Sequence, residues 1–196
     1  MSHNIYKTEA IILGSKNSGE SNRLLFLLTK ELGFIIALSQ GVRNLKSKLR
    51  YGLQDFNLIN LELVRGKEVW RVTSAEIIKN YSKSLLGDER KAKSAGRIFL
   101  VLRRLMHGES KNRELFEDVS QFLSFIEKED LNSEKLLLLE ILVNLRILNH
   151  LGYGSNEESI KKFLSGNMSL ELIDSLLAVR KKAVIEVNRA LEESHL

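Results

Sequence analysis

Residues 56–77 read FNLINLELVRGKEVWRVTSAEI. From Phe56 to Val64 the apolar residues alternate with Asn57, Asn60 and Glu62. Arg65-Gly66-Lys67 interrupts them, and the alternation resumes from Val69 to Ile77. A period of two broken by a Gly-bearing turn is the pattern of a β-hairpin with one buried face. Upstream, Ile5 to Leu13 reads as a strand ending at Gly14, with Lys16-Asn17-Ser18-Gly19 as a turn. Leu24 to Leu28 and Phe34 to Leu38 read as two further strands on either side of Glu31-Leu32-Gly33. About five short strands, with Gly-bearing turns and no long helix, predict a small closed barrel over residues 1–80.

Beyond Tyr81 the apolar period changes to that of helices. Ile98, Leu102 and Leu105 mark one helix, and Leu115, Val119, Phe122, Leu123 and Ile126 a second. Ser133 is expected to cap a third, with Glu134 in its first turn and Gly152 at its C-terminal end. This third helix is apolar on most faces and is expected at the centre of a bundle. Ser155 with Glu158 reads as a capping box for a short fourth helix, and a last helix is expected from Ser169 to about Ser194. Strands followed by helices predict an α+β chain of two domains, a barrel at 1–80 and an all-α bundle at 81–196.

Charge separates the two parts. Residues 1–80 hold 12 Lys/Arg against 7 Asp/Glu, whereas residues 81–196 hold 18 of each, so the net +5 belongs wholly to the barrel. A basic surface there favours nucleic acid or an anionic membrane. The chain has no cysteine, which excludes disulfides and thiolate metal sites and fits a reducing compartment. Met1 to Ala10 lacks a signal-peptide core, and Glu140, Asn144 and Arg146 interrupt the most apolar stretch, Leu136 to Leu148. A cytoplasmic protein with no membrane segment is expected.

Catalytic patterns are missing from the sequence. His3, His107, His150 and His195 are dispersed, and none is paired with an acid at ligand spacing. There is no H-E-x-x-H, no phosphate-cradling glycine loop and no G-x-S-x-G around Ser18 to Ser21. A non-enzymatic protein with no cofactor and no metal is therefore expected.

The basic residues are more telling. Gln40 to Tyr51 reads QGVRNLKSKLRY, with Arg43, Lys46, Lys48 and Arg50 within eight positions and no acid among them. Most charge runs are solvated loops. This one lies between barrel strands and is flanked by Lys16 and Arg23 before it, and by Arg65, Lys67 and Arg71 after it. Cations so placed could line a groove that tracks a phosphate backbone. Four phosphate contacts to a single strand would give a log-affinity against log-salt slope of about −3. Tyr51 is the aromatic best placed to stack a base, whereas Phe26, Phe34, Phe56 and Trp70 lie in apolar runs and are expected in the core.

Several short stretches, taken in order, resemble a known family. Thr8-Glu9-Ala10-Ile11-Ile12-Leu13 is followed by Gly19-Glu20-Ser21-Asn22-Arg23-Leu24-Leu25, and then by Thr29-Lys30-Glu31-Leu32-Gly33. Leu53-Gln54-Asp55-Phe56 and Trp70-Arg71-Val72-Thr73-Ser74-Ala75-Glu76 come after the basic loop. This series resembles the N-terminal domain of RecO, a bacterial recombination mediator. His107-Gly108-Glu109 before Leu115-Phe116, and Leu151-Gly152-Tyr153-Gly154 after the apolar helix, fit the same family more loosely.

The resemblance implies an oligonucleotide-binding (OB) barrel and a helical domain. It implies a non-catalytic protein that binds single- and double-stranded DNA, anneals complementary strands and helps to load RecA at gaps. RecR and single-stranded-DNA-binding protein are the implied partners. Arg23, Arg43, Lys46, Lys48 and Arg50 match the family's basic DNA-contacting region. A four-cysteine zinc module carried by many relatives after the Leu-Gly-Tyr segment is replaced by Ser155 to Asn167, which offers no thiol ligand. The chain also stops soon after Leu191, short of the family norm. The family's pocket for the acidic tail of single-stranded-DNA-binding protein lies in the helical domain, where Arg103, Arg104 and Arg146 are candidate cations by residue type. The alternative reading is a protein-interaction adaptor, with the barrel and the bundle as docking surfaces.

Overall fold

A computed structural model describes residues 4–194. The expectations for His3 and His195 lie outside the described residues. Five strands, β1 (Ile5–Ser18), β2 (Asn22–Thr29), β3 (Gly33–Ser39), β4 (Leu58–Arg65) and β5 (Trp70–Lys79), close in the order β1-β2-β3-β5-β4. The pairings are antiparallel except between β3 and β5, which run parallel through Ala37–Trp70 and Leu38–Arg71. This is the five-stranded Greek-key barrel of the OB fold. Alternate residues fill its interior, among them Ile12, Leu25, Leu27, Ile35, Ile59, Leu61 and Leu63.

Strand β1 runs past the expected end at Gly14 and reaches Ser18. It serves two neighbours: Ile5–Ile11 pair with β4 and Ala10–Ser18 with β2. The register slips between Ile12 and Gly14, where Gly14 adopts φ 151°. A strand that turns a barrel corner needs such a bulge, and glycine accommodates it without a side-chain clash. The chain turns instead at Gly19, φ 64°.

The start of β4 also differs from the alternation read in the sequence. Phe56 sits at φ 76°, the only non-glycine with positive φ among the described residues, and β4 begins after it at Leu58. Asn57 is wholly buried rather than outward-facing. Its side-chain amide donates to the Gly52 carbonyl (3.1 Å) and its Oδ1 accepts from the Ser82 N–H (3.0 Å). A buried amide satisfied on both sides fixes the loop before β4 to the segment after β5.

The helices are α1 (Tyr81–Leu85), α2 (Glu89–Leu105), α3 (Arg113–Lys128), α4 (Ser133–His150), α5 (Glu158–Lys161), α6 (Leu170–Leu176) and α7 (Arg180–Glu193). Helix α4 is the buried centre, packed by α2, α6 and α7. Its N-cap is Asn132, whose Oδ1 accepts from the Lys135 N–H at 2.8 Å, and Ser133 is the first helical residue. Gly152 follows α4 at φ 92°, the left-handed step that ends many helices. Ser155 does not cap α5: Glu157 holds that position, and the Ser155 hydroxyl accepts from the Glu157 N–H instead. Ser169 caps α6, and a 3-10 turn at Leu177–Val179 divides the expected last helix into α6 and α7. Among the described residues, no helix is long and apolar enough to cross a membrane.

The chain divides into two compact units. One contains the barrel, α1 as far as Gly87, and the α2–α3 connection Met106–Arg113. The other contains Asp88–Leu105 and the helices from Glu114 onward.

Candidate nucleic-acid interface

The basic loop leaves β3 after Ser39 and returns to β4 at Leu58, with a short 3-10 turn at Lys48–Arg50. Its apolar residues anchor it. Val42 and Leu53 are buried in the barrel core and Leu49 packs against that core. Its backbone is bonded to the β1–β2 turn: Arg43 N–H donates to Ser21 O (2.9 Å) and Gly41 N–H to Asn22 Oδ1 (2.9 Å). Arg43 adds a second tie, since its Nη1 donates to the carbonyls of Gly19 (3.1 Å) and Glu20 (2.8 Å). Gln54 Nε2 donates to Arg50 O across the 3-10 turn. The loop is therefore pinned to the barrel at several points.

The anchoring decides which side chains face water. Lys46 and Lys48 are exposed, Arg50 is half-buried, and none has an ion-pair partner among the described residues. Tyr51 is 75% exposed. Leu45 is 84% exposed, a large apolar group at the loop's outer edge that sequence reasoning did not single out. Its only signal is an apolar residue isolated in a polar run.

Arg23, on β2, is brought to the same place. Its Nη1 donates to Leu53 O (3.1 Å) and its Nη2 to the Ser15 hydroxyl, which in turn donates to Asp55 Oδ1 (2.8 Å). Asp55 lies 4.0 Å from the Arg23 guanidinium. Arg23, Arg43 and Arg50 together line a polar cleft of about 350 Å³ with Asn17, Val42 and Gln54. Asn17 and Gln54 were not singled out in the sequence, where neither belongs to a motif.

The β4–β5 hairpin contributes differently from its charges. Arg65 Nη1 donates to Glu109 Oε2 (2.9 Å), and its guanidinium lies 5.1 Å from the centre of the Trp70 ring. Trp70 is buried, as expected, and its Nε1–H donates to Glu109 Oε1 (3.0 Å), while Tyr6 packs edge-on at 5.0 Å. Arg65 is thus engaged by a carboxylate 44 residues away. Lys67 and Arg71 are exposed. Arg71 pairs in register with Leu38, one residue before Ser39, where the loop departs. Lys67 lies at the hairpin tip and outside the cleft.

In the helical unit the candidates separate further. Arg104 is exposed and Arg103 half-buried. Arg146 is only 1% exposed, so it does not present its charge to a partner at the surface. It donates to the carbonyls of Phe163 and Ser165 (both 3.0 Å) and to Asp118 Oδ1 (3.0 Å). His150 Nε2 lies 2.7 Å from the other Asp118 oxygen, an acid pairing hidden in the sequence by a separation of 32 residues. Asp118 is thus shared by His150 and Arg146, and His150 Nδ1 lies 3.8 Å from Glu114 Oε2, a group whose bonds make it a structural clamp.

Comparisons with known proteins bear on the same region. Residues 1–81 match the family described as "Recombination protein O N terminal". The chain is similar to the protein named DNA repair protein RecO in Clostridium novyi, with 29% identity over 154 residues, covering 79% of this chain and 59% of that one. It is 40% identical to the protein of that name in Heliobacterium modesticaldum over 84 residues, 43% of this chain and 30% of that one. Against the one in Nocardioides sp. it is 30% identical over 122 residues, 62% and 48% of the two chains. The chain therefore spans between about a third and three-fifths of the length of these relatives.

Proposed function

Because this chain belongs to the RecO family of DNA repair proteins through its barrel domain, we propose that it is a non-catalytic DNA-binding mediator. It binds single- and double-stranded DNA and anneals complementary strands at the loop on its barrel. The observation that carries this reading is the loop itself. Lys46, Lys48 and Arg50 have no carboxylate partner among the described residues, and they stand on a segment pinned to the barrel by Val42, Leu53 and Arg43.

Annealing asks that two polyanions approach while their base edges stay free. Fixed cations on a loop neutralise phosphates without reading sequence, and Tyr51 and Leu45 offer apolar faces to unpaired bases. Arg23, Arg43 and Arg71 add charge around the same end of β3. On this reading the protein acts with RecR and single-stranded-DNA-binding protein to load RecA at gaps.

The test is an annealing assay with two complementary labelled oligonucleotides. The protein should accelerate annealing above the spontaneous rate, and Lys46→Ala, Lys48→Ala, Arg50→Ala together should abolish the acceleration. No acceleration by the wild type refutes the proposal. A second reading, a protein-interaction adaptor, is favoured by exposed Leu177, Val184 and Ile185 beside Arg180 and Lys181 on the helical unit. Failure of the protein to be retained on single-stranded-DNA resin at low salt would favour that reading.

A further inference from the structure

The cleft at Arg23, Arg43 and Arg50 differs from the rest of the basic surface in being concave and built. Lys46 and Lys48 project from the loop as separate point charges. The three arginines instead converge with the amides of Asn17 and Gln54 on one space of about 350 Å³. Two of them are already oriented by the protein. Arg23 is held by Leu53 O and Ser15, and Arg43 has its Nη1 fixed on Gly19 O and Glu20 O, which leaves its Nη2 uncommitted. Guanidinium groups oriented in advance lose little freedom when an anion arrives. Arg50 is the one cation of the three with no side-chain partner among the described residues, so it can close on a ligand.

Charge then selects the anion. Among the described residues the one ion-pair partner of the three guanidiniums is Asp55, at 4.0 Å from Arg23, which leaves two of them without a paired carboxylate. An internucleotide phosphodiester carries a single negative charge. A terminal phosphomonoester carries close to two at pH 7, with its second pKa near 6, and has three oxygens to accept bonds. We propose that this cleft is a subsite for the terminal phosphate of a DNA strand, with Arg50 closing on it while Lys46 and Lys48 hold the adjoining backbone. This inference rests on the DNA-binding reading above and adds to it a preference for strand ends.

The test is fluorescence anisotropy with one oligonucleotide sequence in three forms: 5′-phosphorylated, 3′-phosphorylated and hydroxyl-ended. One extra charge-assisted contact predicts that at least one phosphorylated form binds about tenfold tighter than the hydroxyl form at pH 7.5. The preference should shrink at pH 5, where the monoester is largely monoanionic. Arg50→Gln should remove it, whereas Lys46→Ala with Lys48→Ala should weaken all three forms alike and leave the ratio intact. Equal binding of the three forms overturns the strand-end inference and leaves DNA binding standing. A preference that survives Arg50→Gln overturns its assignment to the cleft. Deoxyadenosine 5′-monophosphate competing as well as the phosphorylated oligonucleotide would overturn it in favour of a free nucleotide. No binding of any form overturns both readings.

Discussion

Glu109 gives the most quantitative test of how the barrel is held. It accepts two bonds, one from the buried Trp70 indole N–H at 3.0 Å and one from Arg65 at 2.9 Å. In Glu109→Ala the indole N–H loses its acceptor in a site only 4% exposed, which costs about 1–3 kcal/mol. The lost ion pair adds little, about 0.5 kcal/mol, because Arg65 is mostly exposed. The total is about 1.5–3.5 kcal/mol. For a unit of roughly 95 residues that corresponds to a fall in Tm on the order of 10 °C. Glu109→Gln keeps an oxygen for the indole and loses only the charge, so its cost should stay below about 1 kcal/mol. Trp70 is the chain's single tryptophan, so urea unfolding followed by its fluorescence reports on the barrel alone. Equal losses in the two variants, or a loss below about 0.5 kcal/mol in Glu109→Ala, would refute the assignment of the energy to the indole bond.

Three further outcomes follow from the same geometry. Arg146→Ala should destabilise the helical unit by about 3 kcal/mol by circular dichroism melts, since it removes the buried donor of the Phe163 and Ser165 carbonyls and leaves Asp118 with His150. Gly33→Ala should cost more than about 2 kcal/mol, because φ is +74° and the new methyl would lie 2.1 Å from Ser110 O; proteolysis should then cut first within 106–113. Lys111 holds the Glu31 carboxyl below its ordinary 4.5 through a hydrogen bond. A lowered carboxylate stabilises the fold above that value and loses its contribution as pH falls through the folded pKa. Lys111→Met should therefore flatten the loss of Tm between pH 5 and about pH 3 relative to wild type.

The barrel was legible because its strands alternate in a pattern that only a half-buried sheet requires. Gly14 was misread for a physical reason. A glycine inside an apolar run marks either a strand end or a bulge, and only closure of the barrel, which makes β1 serve both β2 and β4, selects the bulge. The caps of α4 and α5 shifted because adjacent residues can both cap, and backbone geometry chooses between Asn132 and Ser133. The basic loop was visible as composition, but its rigidity was not. The acceptors of Arg43 are the main-chain carbonyls of Gly19 and Glu20, which any residue supplies. Arg65 and Arg146 show the same limit: what decides whether a cation faces solvent is a partner dozens of residues away, Glu109 for one and Asp118 for the other. For Arg146 one sign was present, since a charge in the middle of a helix apolar on most faces has to be buried with partners.

The pinned loop sharpens the central claim into one number. Arg43 has one guanidinium nitrogen on carbonyls, whereas three loop cations, Lys46, Lys48 and Arg50, have no side-chain partner among the described residues. Each contact to a single strand contributes about 0.7 to the slope of log affinity against log salt, so the three together contribute about 2. The measurement is a salt titration of single-stranded DNA binding by fluorescence anisotropy, for the wild type and for the triple variant Lys46→Ala, Lys48→Ala, Arg50→Ala. A slope shallower by about 2 in the variant, with its circular dichroism unchanged, is the predicted result. The same slope in both proteins would contradict the assignment of DNA contact to this loop.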